Sequence, residues 1–159
     1  MIARAVATVG GVGLMRPAPG TWGSAAALPL GWLAMLGGPV FFTGLTVAVS
    51  ALGWWAIARA TRGSADHDPS EIVVDELAGQ WVALLPLAWG AARAGVPVEA
   101  LWPGWLAAFV LFRLFDIWKP GPVGWADRRA DPLGVMLDDV IAGALAALGV
   151  VALAALAHV

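Results

Sequence analysis

The sequence contains no cysteine and little charge. Without cysteine, a disulfide framework, a thiolate nucleophile and a thiolate metal site are all excluded. Histidine is nearly absent too: His67 lies in an acidic stretch, and His158 lies in an apolar tail, where we expect no catalytic role. The net charge is −2 and there is no basic cluster, so nucleic acid is not an expected partner.

Charged residues make up only 13% of the 159 residues, whereas 60% are hydrophobic and the mean hydropathy is +0.81. These values are typical of membrane proteins. No charged residue occurs between Arg16 and Arg59, and further runs without charge cover 77–92, 100–112 and 140–159. Ten tryptophans suit the water–lipid boundary. We therefore predict one all-α membrane domain over residues 1–159.

Glycine and proline divide the apolar sequence into segments. Gly37-Gly38-Pro39 separates residues 24–36 from 40–58, which predicts a helical hairpin. The further predicted segments are 72–92, 100–118 and 138–157. The bundle has five membrane segments if residues 24–37 span the bilayer, and four if they are re-entrant. Residues 1–13 lack the features of a cleaved signal peptide, so we expect them to be retained.

The basic residues are distributed unevenly between the two sides of this bundle. With five segments, every Lys and Arg except Arg93 falls on one side, which the positive-inside rule makes cytoplasmic. Every acidic residue except Glu99 falls on the same side. Three polar islands, residues 13–24, 62–76 and 113–139, are therefore predicted to meet in a polar site at the cytoplasmic face.

The second island contains five of the eleven carboxylates within residues 66–76. Asp68 followed by Pro69 resembles a helix N-cap, which predicts a helix that begins here and carries Glu71 and Asp75 on one face. A capping box with a solvated first turn is the alternative. We favour a functional role for Asp75, because a carboxylate at the head of a membrane-length apolar segment is costly.

Two predicted helices carry small residues at every fourth position after an acid. The two stripes are Asp75-Gly79-Ala83 and Asp139-Gly143-Ala147. Such stripes allow close helix packing in membranes, although an alanine-rich composition also produces them. If they face one another, Asp75 meets Asp139, with Glu71 and Asp138 beside them. Carboxylates without His or Cys ligands suit a hard cation, which predicts Mg²⁺.

The first island is rich in glycine and proline, which predicts an irregular loop over residues 10–24. Thr21 and Ser24 precede a helix predicted from Ala25, where hydroxyls and free amides can bind a phosphate. A plain turn capped by one of the hydroxyls is the alternative. The loop lacks the Gly-Lys-Ser/Thr ending of a P-loop.

The third island begins with Arg113, Asp116 and Lys119, spaced i, i+3, i+6 at the end of a helix that Pro120 terminates. This spacing predicts that the three side chains line one flank of the helix end, and in a phosphatase Arg113 and Lys119 would clamp phosphate oxygens. A surface ion-pair ladder is the alternative.

Together these islands closely resemble the phosphatidylglycerophosphatase A family of bacterial lipid phosphatases. The matching blocks, in the family's order, are 17–24 (PAPGTWGS), 68–76 (DPSEIVVDE), 112–120 (FRLFDIWKP) and 134–139 (GVMLDD) followed by Ala142-Gly143. The resemblance implies a magnesium-dependent hydrolase of the bacterial inner membrane. Its phospholipid substrate would be phosphatidylglycerophosphate, converted to phosphatidylglycerol and inorganic phosphate. The acids that match the family pattern are Asp68, Glu71, Asp75, Glu76, Asp116, Asp138 and Asp139.

The chemistry of the three islands and the family resemblance together predict roles for the residues of the site. The predicted metal ligands are Glu71, Asp75, Asp138 and Asp139. The predicted catalytic residues are Glu71, Asp75, Glu76, Asp116 and Asp139, with Asp116 or Glu76 taking a proton from the attacking water. The predicted substrate-binding residues are Thr21, Ser24, Arg113 and Lys119. Nothing in the sequence indicates a homo-oligomer.

Three alternatives stay open at this point. An aspartyl-phosphate intermediate competes with direct attack by water. In the second alternative, the substrate is a different lipid phosphate. The third is a cation transporter, which is disfavoured because its carboxylates should recur near mid-bilayer on several helices, whereas here they cluster towards one face.

Overall fold

The computed structural model describes residues 1–64 and 66–157, and within those ranges its regular secondary structure is helical, with no strand. The prediction for His158 lies outside the described residues. The helices are α1 (Ile2–Ala7), α2 (Pro19–Met35), α3 (Pro39–Ala60), α4 (Val74–Ala94), α5 (Trp102–Trp118), α6 (Pro122–Asp127) and α7 (Pro132–Ala157), with 3₁₀ segments at Val9–Leu14 and Val98–Leu101. The prediction of an all-α fold is confirmed.

Within the described ranges, three helices are long and apolar enough to cross a membrane. They are Pro39–Ala60, Val98–Trp118, which joins the second 3₁₀ segment to α5, and Pro132–Ala157. Helix α2, with 17 residues, is not among them, and neither is α4. The fold is therefore that of a membrane protein with three candidate spans, and the larger number of segments stays a prediction.

Helix α4 is the centre of the bundle, with contacts to α2, α3, α5 and α7. Twelve of its 21 residues are buried, so more than half of the helix packs against the rest of the protein. Trp81 fixes the neighbouring helices: its indole N–H donates to the Ala27 carbonyl at 2.9 Å, and its ring lies 5.5 Å from that of Phe42. Helices α2 and α3 thus pack on α4 as the predicted hairpin.

Proline begins several helices, because a residue in the first turn needs no amide hydrogen. Pro19, Pro39 and Pro132 occupy this position in α2, α3 and α7. Helix α2 therefore begins at Pro19, and the predicted start at Ala25 was wrong. Helix α7 likewise begins six residues before the predicted Asp138. Thr21 and Ser24 consequently lie within a helix, not in a loop before it.

The predicted start of α4 at Pro69 was also wrong, since the helix begins at Val74. The Asp68 amide donates to Asp66 Oδ1 at 3.0 Å, and the Ile72 amide to the Pro69 carbonyl at 2.8 Å, so this stretch forms turns. Val73 is fully buried and its amide donates to the Ala7 carbonyl of α1 at 2.9 Å. Burial of this apolar stretch against α1 outweighs the local capping signal.

Candidate active site

The site lies at the end of the bundle where α2, α4 and α7 begin and α5 ends. The predicted meeting of the three polar islands is confirmed by contacts between them. Arg113 of α5 donates a hydrogen bond to the Ser24 hydroxyl of α2 at 3.3 Å, which joins the third island to the first, and within the third island Lys119 lies 2.8 Å from Asp138 of α7. The Arg16 guanidinium joins the first island to the second through Ser70 Oγ, at 3.3 Å.

At the centre of the site, Asp75, Glu76 and Asp139 form an acidic cluster that brings α4 and α7 together. One carboxylate oxygen from each lies within 4.8 Å of the others, an arrangement that can hold a metal ion. Asp75 and Asp139 are 5% and 3% exposed. The predicted meeting of these two aspartates is therefore confirmed.

Close backbone packing makes this meeting possible. A Cβ atom on Gly79 would lie 2.5 Å from the Asp139 carbonyl oxygen, and one on Gly143 would collide with the Gly79 carbonyl. The glycine positions of the two predicted stripes therefore do face each other. Gly20 acts similarly on α2, because a Cβ there would overlap the Glu76 carboxylate.

Several polar atoms in the site are buried and unpaired. Among the described residues, buried side-chain atoms without a hydrogen-bond partner are Asp75 Oδ1, Glu76 Oε2, both amide atoms of Gln80, and Arg113 Nε. All belong to α4 or α5 around the acidic cluster. Since an unpaired buried polar group costs about 1–3 kcal/mol, their concentration here indicates a site built for a ligand.

Two cations border the acidic cluster, and carboxylates hold both of them. Arg113 pairs with Asp116 at 2.6 Å, as the ion-pair alternative predicted. Lys119 instead contacts Asp127 and Asp138, at 2.8 Å for Asp138. Partial burial disfavours the Lys119 charge, but the hydrogen bonds that Lys119 donates to these two carboxylates outweigh this effect, so the pKa of Lys119 is raised above its ordinary value.

The remaining predicted site residues lie in different places. Asp116 is close enough to Glu76 and Asp139 to interact with them electrostatically. Glu71 is outside α4 and pairs with Arg4 at 2.9 Å, so the structure does not bring it to the acidic cluster. Thr21 is exposed on α2.

Ser24 and Asp138 are both engaged by their neighbours. The Ser24 hydroxyl is fully buried and donates to the Gly20 carbonyl at 2.8 Å. Asp138 accepts the amide hydrogen of Asp139 at 3.0 Å in addition to its bond with Lys119. Ser24 therefore positions Arg113, and Asp138 positions Lys119.

Sequence reasoning missed Gln80, whose amide is completely buried one turn after Glu76. The available signal was its position: a carboxamide four residues after Glu76 lies on the same face of the helix.

Comparison with known proteins finds one family over most of the chain. The family model described as Phosphatidylglycerophosphatase A matches residues 5–154. A Haemophilus influenzae protein of that name is 38% identical and an Escherichia coli one 35% identical, with alignments covering 90% and 86% of this chain and 83% and 74% of theirs. A Bacteroides thetaiotaomicron relative, 38% identical over 84% of this chain and 81% of its own, carries the provisional name phosphatidylinositol-3-phosphatase.

No solved structure matches the chain. The family model nevertheless spans almost the whole sequence, including all three polar islands that form the site. The chain therefore belongs to the phosphatidylglycerophosphatase A family of phosphatases.

Proposed function

We propose that this protein hydrolyses the terminal phosphate of phosphatidylglycerophosphate, releasing phosphatidylglycerol and inorganic phosphate with Mg²⁺ as cofactor. Family membership supports the reaction. The observation that carries the site assignment is the acidic cluster, in which Asp75, Glu76 and Asp139 converge within 4.8 Å from two helices.

The donor set fits a hard divalent cation. The cluster offers only oxygen atoms, and two of them, Asp75 Oδ1 and Glu76 Oε2, are buried without a hydrogen-bond partner in the described structure. Asp75, Glu76 and Asp139 would hold the ion, with Asp138 next to Asp139. When bound, Mg²⁺ supplies charge neutralisation for the phosphate and acidifies a water molecule.

The surrounding side chains suit the other needs of phosphoryl transfer, which are mainly positioning and charge stabilisation. Arg113 and Lys119 bind phosphate oxygens in this proposal, with the phosphate taking a share of the hydrogen bonds that Asp116 and Asp138 now accept. Ser24 holds Arg113 in place from α2. Asp116, released from Arg113, then accepts the proton of the attacking water.

A covalent route uses the same residues differently. An aspartate of the cluster would attack phosphorus, the lipid alcohol would leave, and water would hydrolyse the aspartyl-phosphate in a second step. Borohydride treatment of enzyme quenched during turnover separates the routes: an aspartyl-phosphate is reduced to homoserine at the nucleophilic aspartate, whereas direct attack by water leaves every aspartate unchanged.

We further propose that the protein lies in the bacterial inner membrane with this site facing the cytoplasm. The three apolar helices support a membrane location. The orientation follows from the basic residues: Arg4, Arg16, Arg113 and Lys119 all contact residues at the site end. Positive charge at one end of the bundle is typical of the cytoplasmic side.

A second candidate function is hydrolysis of another lipid phosphate, which the provisional name of the Bacteroides relative favours. Both functions are tested by phosphate release from phosphatidylglycerophosphate, phosphatidylinositol 3-phosphate and phosphatidic acid presented in mixed micelles. We expect turnover of phosphatidylglycerophosphate to exceed that of the others. A clear preference for the inositol lipid would replace the first candidate by the second.

The same assay needs a variant with an inactive site and a matched control. Asp139→Asn removes one carboxylate from the cluster and should abolish phosphate release. Glu99→Gln is the matched control. The Glu99 carboxylate contacts Trp32, which lies late in α2 and therefore at the opposite end of the bundle, so this change should leave the rate unchanged. Equal rates in both variants would refute the site assignment.

A further inference from the structure

Gln80 has an unusual position in this molecule. It is the chain's single glutamine, and the sequence contains no asparagine, so no other side-chain carboxamide exists. Its side chain is 0% exposed, yet neither amide atom has a hydrogen-bond partner among the described residues. A carboxamide buried without partners is strongly disfavoured unless a ligand binds it.

The register of α4 directs this amide towards the acidic cluster. Gln80 follows Glu76 by four residues, so the two side chains lie on one face about 6 Å apart along the axis. Side chains in helices lean towards the N-terminus, and the three-carbon stem of glutamine spans much of one turn. This register therefore favours a Gln80 amide placed towards the turn that carries Asp75 and Glu76.

The unpaired atoms around this point are mostly acceptors. Asp75 Oδ1, Glu76 Oε2 and Gln80 Oε1 are oxygens on successive turns of one helix. One cation within reach of all three would satisfy them together, which a phosphate group, itself an acceptor, would not. An amide oxygen is a suitable hard ligand, and being neutral it adds no repulsion to a cluster already rich in carboxylates.

Resting on the proposed function, we propose that Gln80 is a further ligand of the divalent cation. Its amide oxygen binds the ion held by Asp75, Glu76 and Asp139, and its amide N–H donates to Glu76 Oε2 and fixes that carboxylate. Gln80 would thus close the cation site on the side away from the polar end of the bundle.

Because the chain has a single carboxamide side chain, its NH₂ group gives one isolated pair of signals in a ¹⁵N-correlated NMR spectrum. Mg²⁺ is titrated into the detergent-solubilised wild-type protein, and cation binding is followed in parallel by the rise in Tm. We expect the Gln80 signals to shift saturably over the concentration range in which Tm rises. We expect no shift in Asp139→Ala, which removes a cluster carboxylate and keeps Gln80 as the single side-chain carboxamide.

Substitutions supply the second readout. Gln80→Leu should weaken Mg²⁺ binding, measured from the Tm titration, by about tenfold or more, whereas Gln80→Glu, which keeps an oxygen, should bind at least as tightly as wild type. Thr46→Val is the control: Thr46 is a buried polar residue whose hydroxyl bonds within α3, and this change should leave Mg²⁺ affinity unaltered.

The outcomes separate this inference from the proposed function. If Mg²⁺ raises Tm but the Gln80 signals stay fixed at saturation, Gln80 is not a ligand and the cation site survives without it. If Mg²⁺ changes neither Tm nor any signal of the wild-type protein, the cation site itself is refuted, and the role of Gln80 with it.

Discussion

Gly79 of α4 and Gly143 of α7 lie against each other's helix, with the Gly79 carbonyl occupying the space that a side chain at position 143 would need. One turn nearer the polar end, at i−4 on each helix, are Asp75 and Asp139. The absence of two side chains in the packed region therefore brings two carboxylates together at its edge, and helix packing and the site depend on the same contact.

Gly79→Ala should destabilise the protein, because its Cβ would lie 2.5 Å from the Asp139 carbonyl oxygen and 2.6 Å from Phe112 Cε2. Overpacking of this kind costs about 1–3 kcal/mol, measurable as a lower Tm in detergent. Gly44→Ala in α3 is the control, since its Cβ would meet nothing within 4 Å. That change should leave Tm equal or slightly higher, because alanine favours helix by about 1 kcal/mol over glycine. Equal losses in both variants would contradict the close α4–α7 packing.

Asp75→Asn and Asp139→Asn should each reduce phosphate release by about 100-fold or more, because a bound metal supplies several kcal/mol of transition-state stabilisation. Neither change should lower Tm measured without divalent cations, since each removes one of several clustered negative charges. A kinetic assay beside thermal unfolding checks both halves. Near-normal activity in either variant would show that the cluster is not the metal site.

Much of this arrangement was predictable from the sequence. The hairpin of α2 and α3 follows from the Gly37-Gly38-Pro39 break, and the contact of α4 with α7 follows from small residues at every fourth position. The first signal is a break that helix geometry requires, and the second is a period that matches the helix turn. Long apolar helices can meet both only by folding back and packing side by side. The meeting of Asp75 and Asp139 then follows from geometry.

The remaining details depended on long-range packing. Asp68 and Pro69 carry a local capping signal, but burial of Ile72 and Val73 beside α1 moved the start of α4 to Val74 and left Glu71 outside the helix. No local pattern shows that Arg4, 67 residues away in sequence, is the partner of Glu71. The short helix α6 likewise depends on packing that no local signal shows, since its buried residues Val123, Gly124 and Ala126 lie on an element that packs against α7.

Glu71→Gln tests whether Glu71 belongs to the site, as the sequence predicted, or lies outside it, as in the structure. Since the Glu71 carboxylate contacts Arg4 and not the acidic cluster, we expect phosphate release to stay within about threefold of wild type and Tm to change little, as for most exposed ion pairs. Glu76→Gln, which alters the cluster itself, should abolish activity. Loss of activity in Glu71→Gln with unchanged Tm would restore Glu71 to the catalytic set.

Lys119→Met should lower the free energy of unfolding by about 1–2 kcal/mol, because Asp138, which is 6% exposed, would lose its cation while the exposure of Lys119 itself limits the effect. Lys119→Met/Asp138→Leu should recover most of this loss, since it leaves no buried charge unpaired: Asp127, which also loses Lys119, has a side chain that is 44% exposed. Denaturant unfolding in mixed micelles measures both. Equal stability of the single and double variants would show that the Lys119–Asp138 bond is not the source.

The raised pKa of Lys119 also sets a pH dependence. A lysine whose pKa is higher in the folded than in the unfolded protein stabilises the fold fully below its unfolded pKa. This contribution is lost as the pH rises through the folded pKa, so wild-type stability should fall in the alkaline range above about pH 10. Lys119→Met should show a smaller alkaline decline than wild type. Identical alkaline profiles would contradict this assignment.

The central claim is that carboxylates from α4 and α7 jointly hold one divalent cation. Electron paramagnetic resonance of Mn²⁺ titrated into the purified protein tests it most directly, because free and bound Mn²⁺ give different signals. The account predicts saturable binding that Mg²⁺ displaces and that Asp75→Asn and Asp139→Asn each abolish, while Glu99→Gln binds as wild type. Undiminished binding in both aspartate variants, or no binding to the wild-type protein, would contradict it.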